Sequence, residues 1–570
     1  MSAEPVVTRA GVFRDGDPGA ADPITTEVVR HALNSAANQM KRALVRTAFS
    51  PIIYEVLDFA VAIYDPHLRL LAQAPSLPLF MGTLSFCVDE AVKGCGGAGN
   101  LVDGDIIIYN WPYGTGSHAQ DVAIVMPVFA TDELIGYAVI KGHWLDIGGK
   151  DPYCTDTIDV FQEGTFYPGV RIYKAGKRDD DLFRVIMANS RVPKMIAGDL
   201  NAEVVGVRTG ARAFREVFER FGGTVFRDCV EAMFDHSERI VRSYFEQIPD
   251  GRYVGVGELD DSGTAPEPVP FEVVVEIAGS EVRLDFSNAP AAVAGPMNCP
   301  LPSTVSTSRV AISMLAGYGE APNEGHFRPI SVVTMPGTLF HPLPPSPCFL
   351  YGWPALQAIE VIYQAISKIA PETTPAASGG CITGCVWWGT RQTTGEPWAD
   401  GSPHPCGQGA WHDGDGGTML HISESATRFS PIEVWETRNP WLIDKLELAP
   451  DSCGPGQFRG GLGISLHFRM LEKSYVTSVV ERTKNPPWGL QGGGDGQANR
   501  AGVRSIDGQY KSRPKETRIE LDKDAVFELE TGGGGGYGPP ASRPVEAVHA
   551  DLRAGYITEA FARRHYPHAM

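Results

Sequence analysis

Between Ser117 and Gly149 the chain reads SHAQDVAIVMPVFATDELIGYAVIKGHWLDIGG, and no other stretch constrains the fold as tightly. Two runs rich in β-formers, Asp121 to Val128 and Ile135 to Lys141, flank the polar turn Thr131-Asp132-Glu133, the pattern of a β-hairpin. Pairing about residues 132 and 133 sets Asp121 almost opposite His143, within cross-strand contact distance. His118 lies three residues upstream, where the chain enters the first strand. Two imidazoles and a carboxylate then converge at one end of a rigid hairpin. A divalent transition metal favours such a donor set, and an incomplete protein shell leaves a position for water or substrate. A plainer reading stays open, with Asp121 as a strand-entry cap and the histidines as surface residues. No compact signature such as HExxH decides between the two.

Neighbouring segments supply elements for the hairpin to pack against. Asp22-Pro23 opens a helix to about Ala48, since Asp caps well and proline suits the first helical position. Val29, Leu33, Ala36, Met40 and Leu44 form its buried stripe. LDFAVAIYDPHLRLLAQA, from Leu57, reads as a strand, a turn at Asp65-Pro66-His67 and a returning strand. Residues 105 to 110 make a further strand. It leads into WPYGTGS, Trp111 to Ser117, whose glycines allow close backbone approach to a ligand. Helical patterns over 193–221 and 224–247, joined at Gly222-Gly223, suggest an antiparallel pair. After Pro249-Asp250-Gly251 strand-like runs dominate, and a final helix is expected from about Pro544 to His565. The predicted class is α+β. It comprises an N-terminal arm (1–22), a metal-binding α/β domain with the long helical pair (23–250), and a β-rich domain with Gly-rich loops and a C-terminal helix (251–570).

Composition narrows the partners. With 49 basic against 68 acidic residues the formal charge is −19, a surface that repels nucleic acid and anionic membrane. No apolar run reaches membrane-spanning length, and the N-terminus lacks a signal-peptide pattern. Ten cysteines without a CxxC pair, the closest being Cys381 and Cys385, fit reduced thiols in a cytoplasmic protein. A small-molecule substrate is the expected ligand. GxxxxGK[ST], a GxGxxG opening a βαβ unit, and GxSxG are all missing, so the chain shows no nucleotide site of its own. Gly532 to Gly536 and Gly492 to Gly494 could cradle a phosphate through their amides, or simply let chain segments pass closely.

Several stretches together resemble the hydantoinase B/oxoprolinase family: LDFAVAIYDPHLRLLAQ with Leu79 to Gly82, GTGSHAQDVAIVMPVF with GHWLDIGG, and FQEGTFYPGVRIYKAGK. FRPISVVTMPGTLFHP, PIEVWETRNPW, RTKNPPWGLQGGGDG and TGGGGGYGPP follow in order. The likeness runs from about residue 23 to residue 566. It implies a metal-dependent subunit of an ATP-dependent cyclic amide hydrolase, working in a hetero-oligomer. A hydantoinase A-type partner would bind ATP and phosphorylate the substrate. One divalent ion (Zn, Mn or Fe) would sit on His118, Asp121 and His143, with a further carboxylate from Asp58. A subunit of an ATP-dependent ketone carboxylase, of the acetone or acetophenone type, is the alternative that the resemblance allows; a non-catalytic assembly subunit is a third.

The chain departs from the family pattern in places. Glu55-Val56-Leu57-Asp58-Phe59-Ala60 lacks an arginine and a serine that members often carry, and Trp144 follows His143 where many have a second histidine. Gly538-Pro539-Pro540 replaces the usual Gly-Asp-Pro. Two acids complete the candidates. Asp146 could orient the His143 imidazole or serve as a turn residue, and Glu163 could act as a general base or be a solvated strand-end acid. WHDGDGGTMLH offers a second polar cluster, His412, Asp413, Asp415 and His421, as a metal site or as loop composition. His326 and His341 read as loop residues.

Overall fold

The computed structural model describes residues 4–11, 13–317, 319–420 and 427–570. Its α+β architecture holds four sheets with helices packed among them. The strand β1 (Val6–Arg9) lies within the N-terminal arm. β2 (Phe59–Tyr64), β3 (Leu70–Gln73), β4 (Ile106–Tyr109), β5 (Asp121–Ala130), β6 (Glu133–His143), β7 (Pro168–Lys174) and β8 (Lys177–Arg178) form a seven-stranded sheet in the order β3-β2-β6-β5-β4-β7-β8. β5 and β6 sit inside it, and nearly every residue of both strands is buried. A strand covered on both faces reads as a continuous apolar run, which is why VAIVMPV and YAVI carry no polar alternation.

One face of this sheet is covered by the helix Pro23–Thr47, capped by Asp22 accepting from the Thr25 amide. Val29, Leu33, Met40 and Leu44 meet Ile124, Ile140, Val207 and Phe214 in one core. The helices Pro193–Phe221 and Gly223–Phe245 both form but do not make the expected side-by-side pair. They turn apart at Gly222, whose φ of 78° only glycine adopts cheaply. The first packs on Pro23–Thr47 and the hairpin, the second on Pro23–Thr47 and the turn Glu324–Phe327. Phe214, Phe218 and Phe226 close the corner.

Beyond residue 250 come β9 (Gly251–Leu259), β10 (Val269–Ala278), β11 (Glu281–Asp285) and β12 (Ile330–Thr334). β1 closes their sheet by pairing with β12, Val6 opposite Thr334. A second core takes Leu79, Phe80, Tyr137 and Val139 from the first half and Phe349, Trp353, Val386 and Val479 from the second. β13 (Gly384–Thr390) and β14 (Pro397–Ser402) begin the remaining strands. The C-terminal helix is broken into Val545–Ala554 and Glu559–His565, because Gly555 adopts a left-handed conformation and ends the first piece.

The glycine run is structural. The amides of Gly534, Gly535 and Gly536 donate to the carbonyls of Gly461, Ala377 and Gly494 at 3.0, 2.8 and 2.9 Å, and the Gly532 amide donates to Asn499 Oδ1 at 2.6 Å. A Cβ on Gly534 would lie 1.8 Å from the Gln408 carbonyl oxygen, and one on Gly535 2.1 Å from that of Trp488. Extended backbones thus pass at distances only glycine allows, and those amides are spent on protein carbonyls rather than a phosphate. WPYGTGS departs from expectation in the same way. A Cβ on Gly114 would strike the Tyr109 hydroxyl, and one on Gly116 the Ser303 amide, so these glycines approach the protein itself.

Candidate metal centre

β5 and β6 pair with Asp121 opposite His143. His118 enters from the turn after the short helix Pro112–Thr115. His118 Nε2 lies 3.1 Å from Asp121 Oδ1 and 3.0 Å from His143 Nδ1, which is 3.0 Å from the same Oδ1. All three side chains are buried. Among the described residues, this is the one group of three or more His, Cys, Asp or Glu side chains that brings its ligand atoms within 4.8 Å of one another.

The surroundings set the protons. The Phe349 carbonyl, 2.9 Å from His118 Nδ1, can only accept, so Nδ1 carries hydrogen and a neutral His118 turns the lone pair of Nε2 inward. Three mutual contacts near 3 Å then share at most one proton, that of His143. Lone pairs converging in this way are what a cation completes. Burial works against the Asp121 charge, but a proton on His118 or His143 outweighs it and holds the carboxyl far below the usual range. For His143 burial opposes the charge, while Asp121 and Asp58 draw its pKa upward. The Tyr351 hydroxyl donates to Asp121 Oδ2 at 3.1 Å, and burial keeps that phenol protonated.

Asp58 reaches the same place by backbone geometry. Leu57 takes a left-handed φ of 67°, a costly conformation for a branched side chain, at the turn from the helix Pro51–Tyr54 into β2. The Asp58 carbonyl accepts from the His143 amide at 3.1 Å, and its carboxyl is pushed up to about 6 by burial, with Asp121 adding to the rise. Its Oδ1 is buried without a hydrogen-bond partner. Asp58 lines the same cavity as His118 and His143 but stands outside the group whose ligand atoms lie within 4.8 Å of one another, and its partnerless buried oxygen fits a cation as the missing partner.

The other two acids are placed differently. The Asp146 carboxylate binds the Arg191 guanidinium and the Arg191 amide, and accepts from the Gly148 amide at 3.3 Å. These partners fasten it to the turn Gly148-Gly149 and to Arg191, and it does not orient the imidazole of His143. Glu163 is wholly buried, not solvated. Its Oε1 accepts from the amides of Cys348 and Phe349 at 2.8 and 2.9 Å and from the Thr157 hydroxyl at 3.1 Å. Burial pushes its pKa up to about 8. Glu163 therefore grips the Cys348–Phe349 segment, whose Phe349 carbonyl holds His118.

Lys141, two residues before His143 on the same face of β6, is also fully buried. Its ammonium donates to Thr83 Oγ1, the Thr115 carbonyl and Ser117 Oγ at 2.7, 3.1 and 3.2 Å, and rests 4.2 Å from the Phe80 ring centroid. It ties β6 to the turn that presents His118. A lysine inside an apolar run, in phase with a candidate ligand, was the available signal for it. Tyr351 and the Phe349 carbonyl had none, being some 230 residues from Asp121 and His118.

His118, His143 and Asp58 open onto a cavity of about 60 Å³ whose wall includes Leu77, Phe80, Tyr153, Trp353, Ile382 and Val386. Among the described residues the second polar cluster does not assemble. His412 and Asp413 are exposed, Asp415 pairs with Arg543, and His421 lies outside the described residues. His326 is buried and accepts from the Asn323 amide in a capping box, while His341 contacts Thr334. All ten cysteines are free thiols, and no described helix is long and apolar enough to cross a membrane.

The family description hydantoinase B/oxoprolinase matches residues 22–540. A protein of Pseudomonas sp. (strain NS671), assigned as the B-type component of a D-/L-hydantoinase, is 29% identical over 565 residues, covering 96% of this chain and 95% of its own. The beta component of the caprolactamase of Pseudomonas jessenii is 30% identical, with 96% of each chain covered. A crystal structure of the ATP-dependent caprolactamase from that organism superposes with a TM-score of 0.88 at 28% identity, covering 96% of both chains. A nucleotide-free acetone carboxylase structure shares the fold, with a TM-score of 0.87 at 18% identity over 96% of this chain and 79% of that one.

Proposed function

The chain belongs to the hydantoinase B/oxoprolinase family, and on that premise we propose that it is the metal-dependent subunit of an ATP-dependent hydrolase of cyclic amides. The observation that carries this reading is the convergence of His118, Asp121 and His143 beside the partnerless oxygen of Asp58, at the base of a cavity. His118, Asp121 and His143 would hold the ion, and Asp58 would supply a fourth donor. A divalent zinc, manganese or iron ion bound there would supply Lewis acidity toward a substrate oxygen and make a bound water more acidic. The chain's own groups prepare the site. Phe349 fixes the His118 tautomer and Tyr351 orients Asp121. Glu163 and Asp146 act as positioning residues, one for the 348–349 peptide and one for the turn after β6.

ATP belongs in this reading to a hydantoinase A-type partner that phosphorylates the substrate. The hydantoinase and caprolactamase relatives are each named as one subunit of an enzyme, which supports a hetero-oligomer. The test is ATP hydrolysis by the co-purified complex against lactams, hydantoins, and ketones with bicarbonate. Ring opening that requires both ATP and divalent metal is expected, with His143→Ala folded but without stoichiometric metal. Carboxylation of a ketone with no amide hydrolysis would replace the hydrolytic reading. Metal retained in both His118→Ala and His143→Ala would refute the ligand set.

A further inference from the structure

A second cavity, of about 270 Å³, shares a wall with the first. One short segment divides them: Leu77, Leu79 and Phe80 line the metal cavity, while Pro78, Met81 and Gly82 line this one. The helix Leu301–Ala316 contributes Arg309 and β3 contributes Gln73. Both side chains are buried with their polar ends unpaired. The Arg309 side chain is 11% exposed, its guanidinium 4.5 Å from the Phe327 ring centroid and 3.9 Å from Glu324 Oε1, beyond hydrogen-bond reach. Among the described residues it donates no hydrogen bond, whereas the buried Arg69, Arg328, Arg459 and Arg543 each donate at least two. Gln73 is 6% exposed, and its amide too has no hydrogen bond among the described residues. Buried donors without acceptors are costly, and both of these reach one cavity.

We infer that this cavity is a second ligand site, which takes a small monocarboxylate with an apolar body. Arg309 supplies the counter-charge and Gln73 a further N–H donor. The acids nearby are already engaged. Glu320, on the cavity wall, accepts from Arg30 at 3.0 Å and from Ser237 Oγ at 3.1 Å, and Glu324 accepts from the Leu70 amide at 3.1 Å. Arg309 is the one Lys or Arg on the wall among the described residues. Beside Glu320 and Glu324 it balances a single negative charge, and a phosphate dianion would go uncompensated. Met81, Val310, Met314, Pro322 and Phe327 offer apolar surface to the rest of the ligand. An apolar cavity of about 150 Å³ accepts benzene, so this one accommodates a chain or ring of about six to eight carbons. None of Asp58, His118, Asp121 and His143 lines it, and the site stands whatever reaction the metal centre performs.

The test titrates hexanoate, and its uncharged counterpart hexanamide, into the full chain before and after removal of metal, with binding followed by ligand-observed NMR. Saturable binding of hexanoate is expected in both states, at least about tenfold tighter than that of hexanamide. Arg309→Gln should weaken it at least about tenfold, because a charge-assisted pair is lost. Met314→Trp puts a bulkier side chain on the cavity wall while keeping Arg309. It should abolish binding, and gives the reading if Arg309→Gln does not fold. His143→Ala should bind hexanoate as the unsubstituted chain does. No saturable binding, equal binding of hexanamide, or binding unchanged in a folded Arg309→Gln or in Met314→Trp overturns the inference. Binding that requires the metal or is lost in His143→Ala also overturns it, since the carboxylate would then be meeting the ion.

Discussion

Replacing Glu163 by glutamine and, separately, by alanine distinguishes an acid that moves protons from one that braces the site. All three hydrogen bonds to this side chain converge on Oε1, from Cys348, Phe349 and Thr157. An amide oxygen can take them over, so Glu163→Gln keeps the brace, with a stability change of about 1 kcal/mol or less. Alanine leaves two buried backbone N–H groups without acceptors, each costing about 1–3 kcal/mol, for a loss of about 2–6 kcal/mol. The released Phe349 carbonyl also loosens His118, and metal affinity should fall about 10- to 100-fold. The carboxyl further imposes a pH slope. Its pKa, raised to about 8 by burial, lies above its unfolded value, so the folded state binds the extra proton. Its contribution is complete below the ordinary carboxylate range and fades as pH rises toward 8, and Glu163→Gln removes that slope. Urea unfolding from the ordinary carboxylate range up to pH 8, metal content and kcat of the complex give the readings. A glutamine variant that stays stable and metal-loaded yet loses about 100-fold or more in kcat would make Glu163 a general base and refute the brace. An alanine variant with native stability and metal content would refute it from the other side.

Tyr351→Phe removes the donor to Asp121 Oδ2 while keeping the ring. It should weaken metal binding about tenfold with little effect on unfolding, as read by competition with a chelating dye. Gly534→Ala should cost about 3 kcal/mol or more, because its Cβ meets a backbone oxygen at 1.8 Å and neighbouring strands must part. Gly99→Ala, with nothing within 4 Å of the new carbon, is the control, and denaturant unfolding of both variants decides the matter. Equal stability of the two would mean that the glycine run is not closely packed.

Local rules carried the sequence far where the determinants were local. The two β-forming runs and the polar turn between them placed Asp121 opposite His143, because hairpin register depends on a few adjacent residues. Asp22-Pro23 and the stripe through Leu44 likewise marked the first helix almost to the residue. What tertiary structure alone decided was the environment of those groups. Glu163 and Asp146 look alike in sequence as acids near a candidate ligand, but one folds under the 348–349 peptide and the other onto Arg191. The long helices were legible, yet their parting at Gly222 depended on what each met beyond itself. Lys141, Phe349 and Tyr351 acquire their roles only because the second half of the chain packs over the end of the hairpin. Periodicity records which face of an element is buried, whereas the partner across that face is set by packing between segments hundreds of residues apart, which no local pattern encodes.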